Sequence, residues 1–385
     1  YPDSKSDLFA VFIERCAQMD KRGGYQAMIT QPSLLFLTSF EKLRERIISQ
    51  QSICSLLHMG RGIFGIDFGS TSFVIRNSYA KGYKGEYFRL HERTFQYIEP
   101  TDIAGLFLNA KNSHDYSYDF ALYDTGVGIV EQPESIKKKK VYFETAQDNF
   151  SKIPGSPVAY WVSDSLLNAF VKGTYLGALA ESKQGLATAD NNRFLRLWYE
   201  VENDKVCYSC KNTEESKNDL YKWYPYNKGG EFRKWYGNND YIVNWENDGF
   251  EIRNFTDGKG KVRSRPQNTQ FYFRESFSWS LVSSGVAAFR YKPTGHIFDV
   301  AGMSCFAPRE KLFYLLALCN TKVVTSILEI VAPTINYQCG DIANIPVIGM
   351  SNKVIGETVE KNIAISKSDW DSFETSWDFK KHPLV

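Results

Sequence analysis

"GGYQAMITQPSLLFLTSFEKLRERI", residues 23–47, reads as a turn, a buried strand, a loop and an amphipathic helix, which is one αβ step of a layered sheet. YQAMIT is too apolar to have a wet face. Pro32 then breaks the chain, Thr38 and Glu41 have capping-box spacing, and Phe40, Leu43 and Ile47 recur at helical intervals. One helix precedes this step: residues 4–20 put Leu8, Val11, Phe12 and Met19 on a stripe expected to pack on the sheet, with Ser4 and Asp7 as another capping pair. A layered sheet needs more strands than these provide.

Working outward, SICSLLHM is strand-like, and RGIFGIDFGS leads by a glycine-punctuated turn into TSFVIRN, with GEYFRL as its expected hairpin partner. Residues 91–150 look like surface connection, and the lysines at 137–140 like a solvated run. From 151 to 347 short β-like segments rich in Gly, Asn, Tyr and Trp dominate, interrupted by one helix over 309–331, and the tail reads as charged helix then turn. The expected organisation is 1–100, an opening αβ block; 101–150, a connector; 151–347, a mixed, mainly β domain; and 348–385, the start of a helical region.

With apolar residues at 43% and charged at 23%, the composition excludes disorder, and no apolar run approaches the roughly 18 residues of a membrane span. No membrane association is expected. Seven scattered cysteines, an odd number, fit a reducing cytoplasm and not a disulfide framework. The chain opens on Tyr1 without a signal-like order of residues, so it is expected to be cut from something longer. Net charge is only +2, yet residues 221–300 carry 12 Lys and Arg against 8 Asp and Glu, and 19 aromatics.

The run SDLFAVFIERCAQMDKRGGYQAMITQPSLLF resembles the later half of the catalytic domain of gamma-class DNA adenine-N6 methyltransferases, with its D-L-x-x-x-F-I-E-R helix and G-G-x-x-A-x-I-T-P strand. Here the proline comes one place late, at Pro32. QGLATADNNRFLRLWYEV, KWYPYNKGGEFRKWYGN, SWSLVSSGVAAFRYKPTGHIFDVAGMSCF and PTINYQCGDIANIPV look like the adenine methyltransferase of bacteriophage-exclusion (BREX) defence systems. The family pattern generally has Gly where Ala189 stands, which puts that turn in doubt.

The resemblance implies a fold class of α/β plus mixed α+β: an incomplete Rossmann-like methyltransferase sheet followed by a mainly β target-recognition domain. It implies S-adenosyl-L-methionine (SAM) as cofactor of the parent enzyme, and double-stranded DNA as partner with other phage-defence proteins. The family's glycine-rich cofactor strand and its (Asn/Asp)-Pro-Pro-(Tyr/Phe) catalytic tetrapeptide are both absent from these 385 residues, so no catalytic residue is assigned. This fragment is expected to bind no cofactor and to be inactive alone. In the family an aromatic residue before a strand ending V-I-R stacks on the flipped adenine. Phe64 matches that place and Phe68 is its nearest rival, the plainer alternative for Phe64 being packing under the sheet edge.

Sequence readout needs Arg or Lys for guanine acceptors, Asn or Gln for adenine, and cations for phosphates. Candidates are Asn227, Lys228, Arg233 and Lys234 in YNKGGEFRKWYGN, and Arg263, Arg265, Gln267 and Asn268 in the apolar-poor KVRSRPQN. The alternative for both groups is an ordinary surface hairpin. Thr188, Asn191 and Arg193 in QGLATADNNR read first as a structural turn and second as DNA contacts. Cys207 and Cys210 form C-x-x-C, but no second ligand pair follows, so no metal is assigned. No Ser, His and Asp pattern suggests a hydrolase.

Two rivals remain. One is a standalone DNA-specificity subunit serving a separate methylase. The other is a non-catalytic carbohydrate-binding β module with Trp223, Trp235, Trp245 and Trp279 as flat platforms.

Overall fold

The computed structural model describes residues 1–385 except 66–68, 93–95, 134–137, 219, 284, 350–352, 383 and 385. The chain divides into two units, Tyr1–Val171 and Lys172–Val385. Both mix helices with sheets.

In the first unit, helices α1 (Leu8–Met19) and α2 (Glu41–Gln50) alternate with strands β1 (Tyr25–Thr30) and β2 (Ser52–Met59), and β3 (Ser70–Arg76) and β4 (Lys84–Arg89) follow. The stretch expected as connector instead supplies α3 (Pro100–Asn112) and β5 (Tyr142–Ala146) to the same unit. Its periodicity is carried only by Ile103, Leu106 and Ala110, which is a short signal. The sheet order is β1-β3-β2-β4-β5, with β2 and β4 parallel and the other neighbours antiparallel. GEYFRL is therefore not the hairpin partner of β3. Both edges of β3 are taken, by β1 and β2, and β4 lies beside β2 instead.

Each face of the sheet has its own core, because alternate side chains of a strand point to opposite faces. Leu56, Phe73, Ile75 and Tyr87 pack with Ala10 and Ile13 of α1 and Leu43 and Ile47 of α2. On the other face Met59 and Phe88 pack with Ile103, Leu106 and Ala110 of α3. The Arg44 guanidinium, 2% exposed, donates to the carbonyls of Leu34 (3.0 Å), Leu37 (2.7 Å) and Gly155 (2.6 Å) and so ties two loops together.

Two apolar surfaces of this unit stay uncovered. The stripe expected to seat α1 is its exposed side: Leu8, Phe12 and Met19 are 67%, 56% and 71% exposed, while Ala10, Ile13 and Glu14 face inward. YQAMIT has a bare face as well, since Tyr25, Ala27 and Ile29 are exposed and only Gln26 is buried. Neither capping box closes. Asp7 caps α1 while the Ser4 hydroxyl bonds Glu14 (2.6 Å), and α2 starts without a side-chain cap.

The second unit contains two four-stranded sheets. One has β7 (Leu195–Leu197), β9 (Tyr241–Asn244), β8 (Trp223–Asn227) and β12 (Ile297–Phe298) in that order. The other has β11 (Arg290–Lys292), β10 (Ser276–Ser278), β13 (Ser304–Phe306) and β6 (Glu181–Lys183). Strands this short are held by aromatic packing: Tyr224, Tyr226, Trp245, Tyr272, Phe273 and Phe298 form one buried cluster. The helix expected over 309–331 is two, α4 (Arg309–Cys319) and α5 (Lys322–Val331), bent by 78°. Asn320 makes the break by bonding both backbone groups of Phe289, and Thr321 caps α5. The tail forms α6 (Lys353–Trp370). Among the described residues no single helix is long and apolar enough to cross a membrane.

One consequence is acid sensitivity. His58, fully buried at the end of β2 with neither ring nitrogen hydrogen-bonded, meets the His91 ring edge-on at 4.3 Å. Burial, aided by the Arg89 charge, pushes its pKa down to about 3, and burial does the same to His296 in the second unit. The unfolded chain takes up these protons below its ordinary histidine pKa and the folded chain does not, so stability is lost as pH falls through that window. Urea melts between pH 7 and 5 should show up to ~1.4 kcal/mol of extra loss per pH unit for each histidine. His58→Gln should flatten the first unit's share, and an unchanged slope would contradict a buried neutral His58.

Candidate nucleic-acid interface

The loop after β2 is shaped by close backbone approach. Arg61 N donates to Gln96 O (2.8 Å), and Gly62, at φ +103, lies against the Tyr97 ring so closely that a Cβ there would sit 2.5 Å from a ring carbon. Only glycine suits that place. Phe64, two residues past Gly62, is 56% exposed, and Tyr97 is 42% exposed with its hydroxyl donating to Glu99 (3.1 Å). Phe64 does not pack under the sheet edge. Phe68 lies outside the described residues. Sequence reading did not anticipate the Tyr97 ring against Gly62, whose signal is indirect: the glycines at 60 and 62.

In the second unit the three candidate groups meet different fates. Asn227 is fully buried at the end of β8, its amide donating to Gly302 O (2.8 Å) and Ser304 Oγ (3.3 Å), so it builds the fold and cannot read a base from there. Lys228 is half-buried and 3.8 Å from the Asp299 carboxylate, which also accepts from Tyr226 (2.5 Å). Arg233 pairs with Asp369 (2.9 Å) and lies over Trp370, and Lys234 donates to Asn320 O (2.9 Å). The loop that carries them is clamped from inside: Lys292, 1% exposed, donates to Gly237 O (2.9 Å) and Asn238 O (3.1 Å), and Arg290 donates to Arg233 O (3.4 Å) and Ser280 Oγ (3.1 Å). Burial pulls the Arg290 pKa down to about 10 and that of Lys292 well below its ordinary value.

The other two groups are brought together. Arg265 and Ala187 exchange backbone hydrogen bonds (2.9 and 3.1 Å), and the side chains of Gln267 and Asn268 donate to Gly185 O (3.3 Å) and Gln184 O (2.9 Å). Gln267 and Asn268 are thus spent on the fold. So is Thr188, 4% exposed, which donates to Asn191 (2.6 Å). Arg193 pairs with Glu251 (2.7 Å), and its guanidinium and that of Arg263 both lie over the Phe255 ring, at 5.1 and 5.6 Å. Arg263 and Arg265 are exposed, and among the described residues neither has a carboxylate partner. Two further exposed cations, Lys259 in the turn and Lys261 just after it, precede them in the chain. Their signal was the alternation K-x-K-x-R-x-R over 259–265.

Three of the four tryptophans named as platforms are buried, and the fourth, Trp235, is half-buried. Trp245 and Trp279 are fully buried and Trp223 is 9% exposed, because the short strands need their bulk as core. Cys207 and Cys210 are buried in the same region.

Against known proteins, residues 1–64 match the family described as Eco57I restriction-modification methylase. The chain is 37% identical over its whole length to the adenine-specific methyltransferase PglX of Lacticaseibacillus casei (strain Zhang), and 33% identical to the adenine-specific methyltransferase BrxX of Escherichia coli O9:H4 (strain HS). The likeness to adenine-specific methyltransferases runs from end to end of the chain. It spans 30% of the first and 28% of the second, less than a third of either relative. Among solved structures, the Type IIL restriction-modification enzyme MmeI, determined in complex with DNA, aligns over 98% of this chain and 46% of its own at a TM-score of 0.53 and 11% identity. That is a likeness of fold.

At the turn flagged by its departure from the family, Ala189 has φ +63, the left-handed region that costs an L residue roughly 1–2 kcal/mol. Ala189→Gly is therefore expected to stabilise the second unit by about 1 kcal/mol, raising its melting temperature by roughly 2–4 °C. A lower melting temperature would contradict this backbone. Asn227→Ala should destabilise the unit by about 1–3 kcal/mol through unsatisfied buried partners; unchanged stability would return Asn227 to the list of surface readers.

Proposed function

We propose that this chain is part of a SAM-dependent, site-specific DNA adenine-N6 methyltransferase of a phage-defence or restriction-modification system, working in the cytoplasm. The end-to-end identity with two adenine-specific methyltransferases carries the reading. In it the first unit is the later part of a Rossmann-like sheet, the second is a mainly β target-recognition domain, and double-stranded DNA is the partner, with other defence proteins beside it. The bare edge of β1 and the exposed apolar stripe of α1 support a sheet that continues beyond these residues.

SAM does not fit the described residues. A nucleotide-type cofactor lies where a glycine-rich turn runs from a strand into a helix N-terminus. Here Gly60, Gly62 and Gly65 follow β2, and the next element is strand β3. The chain by itself is therefore proposed to bind no cofactor and to be inactive, leaving it two tasks: holding DNA in register and receiving the extruded base.

An adenine amino group inside a duplex is out of reach of the chemistry, so the base must leave the stack at a cost of a few kcal/mol. An exposed aromatic face offsets part of that cost, since stacking is worth about 1–3 kcal/mol. Phe64 supplies such a face. Carbohydrate binding loses its support with the burial of Trp223, Trp245 and Trp279.

Phe64→Ala in the longer enzyme should lower methylation of a paired adenine by roughly tenfold to a hundredfold. The loss should shrink at a mispaired adenine, which is cheaper to extrude. Equal activity of variant and parent on both substrates would remove Phe64 from the role. No adenine methylation by the parent with SAM would remove the whole reading.

A further inference from the structure

We infer that residues 254–265 form a finger that grips the phosphate backbone of duplex DNA through Lys259, Lys261, Arg263 and Arg265, and that it does so without reading bases. The inference rests on the DNA reading above and adds to it two residues and a division of labour.

The finger is a hairpin. Thr256 pairs antiparallel with Val262, Arg263 N donates to Phe255 O (2.9 Å) and Asp257 N to Lys261 O (2.9 Å). Its turn is closed by the Asp257 carboxylate, which accepts from the backbone of Lys259 (2.9 Å) and Lys261 (3.0 Å). At the tip, a Cβ built on Gly258 or Gly260 would meet nothing within 4 Å, so the tip projects into open space. The base is fixed at three points: Arg265 on Ala187, the Ser264 hydroxyl on Ile252 O, and the Phe255 ring against Phe194 at 5.2 Å.

Alternation then sorts the side chains. Ser264 is 3% exposed and turned into the unit, which places Lys261, Arg263 and Arg265 together on the opposite, exposed face. Successive cations on that face stand about 6.5 Å apart along the strand. Residues 254–265 carry four positive side chains against one carboxylate, Asp257, which is engaged with the turn.

Several cations of this unit behave differently. Arg193, Arg233, Arg253, Arg309 and Lys367 each lie within 4 Å of a carboxylate. The four on the finger have no such neighbour among the described residues. A row of uncompensated charge on a rigid, projecting hairpin fits a polyanion with regularly spaced charges. Base readout asks for the opposite design, a guanidinium or amide held in fixed bidentate geometry. Two of the four are lysines, flexible point charges without that geometry.

The test measures the salt dependence of binding for the chain and its Lys259→Gln/Lys261→Gln variant on two short duplexes of unrelated sequence. Both positions are exposed, and an unchanged melting temperature verifies the fold. The expected result is a log K against log salt slope smaller by roughly 1.8, about 0.9 per lost phosphate contact, with the same loss of affinity on both duplexes. A parent chain that binds neither duplex overturns the DNA reading and the finger with it. A parent that binds, with a variant of equal slope, overturns the finger alone. A loss confined to one duplex assigns these residues to base reading and likewise overturns it.

Discussion

A β-sheet is stable when both faces are covered, and the first unit meets that condition at its centre but not at β1. From β2 to β4 the sheet has a core on each face, with α1 and α2 on one side and α3 on the other. At β1 the cover stops. One edge of β1 has no partner strand among the described residues, Tyr25, Ala27 and Ile29 lie open, and the outer stripe of α1 is apolar and exposed. Surfaces of this kind mark interaction sites. The proposed continuation of the sheet beyond these residues depends physically on that unfinished end.

The second unit separates groups that build from groups that bind. Asn227, Thr188, Gln267 and Asn268 carry the side-chain chemistry of base readers, yet their hydrogen-bonding capacity goes to backbone carbonyls and neighbouring side chains. The buried side chains of Lys292 and Arg290 are held mainly by carbonyls, and they fix the loop 228–240 from behind. The cations of the 254–265 hairpin, by contrast, stay on the surface, with Arg193 and Arg263 stacked on Phe255. Buried polar groups need partners and exposed charges need none, and that asymmetry sorts the candidates.

Much of the opening block was legible because periodicity is a local signal. α1, β1, α2 and β2 all occur where the apolar spacing places them. Which side of α1 faces inward was not legible: Leu8, Phe12 and Met19 form a good stripe, and nothing in the spacing tells whether the surface that covers it belongs to this chain. The partner of β4 depended on strand order, which is a non-local property. In the second unit the strands are two to five residues long, too short for alternation to show, and their aromatics suggested a binding surface where they in fact form the core. The helix break at Asn320 was hidden for a related reason, since its cause is a contact with Phe289 far off in sequence. Exposed loop chemistry fared better, and Arg263 and Arg265 stand in solvent as the apolar-poor stretch suggested.

Hydrogen exchange at β1 bears most directly on the unfinished sheet. The amides of residues 25–30 that point away from β3 should exchange rapidly in this chain alone and become strongly protected in the longer protein, as a further strand pairs with them. Equal, rapid exchange in both would mean that β1 is a true edge, and the proposed continuation of the sheet would be wrong.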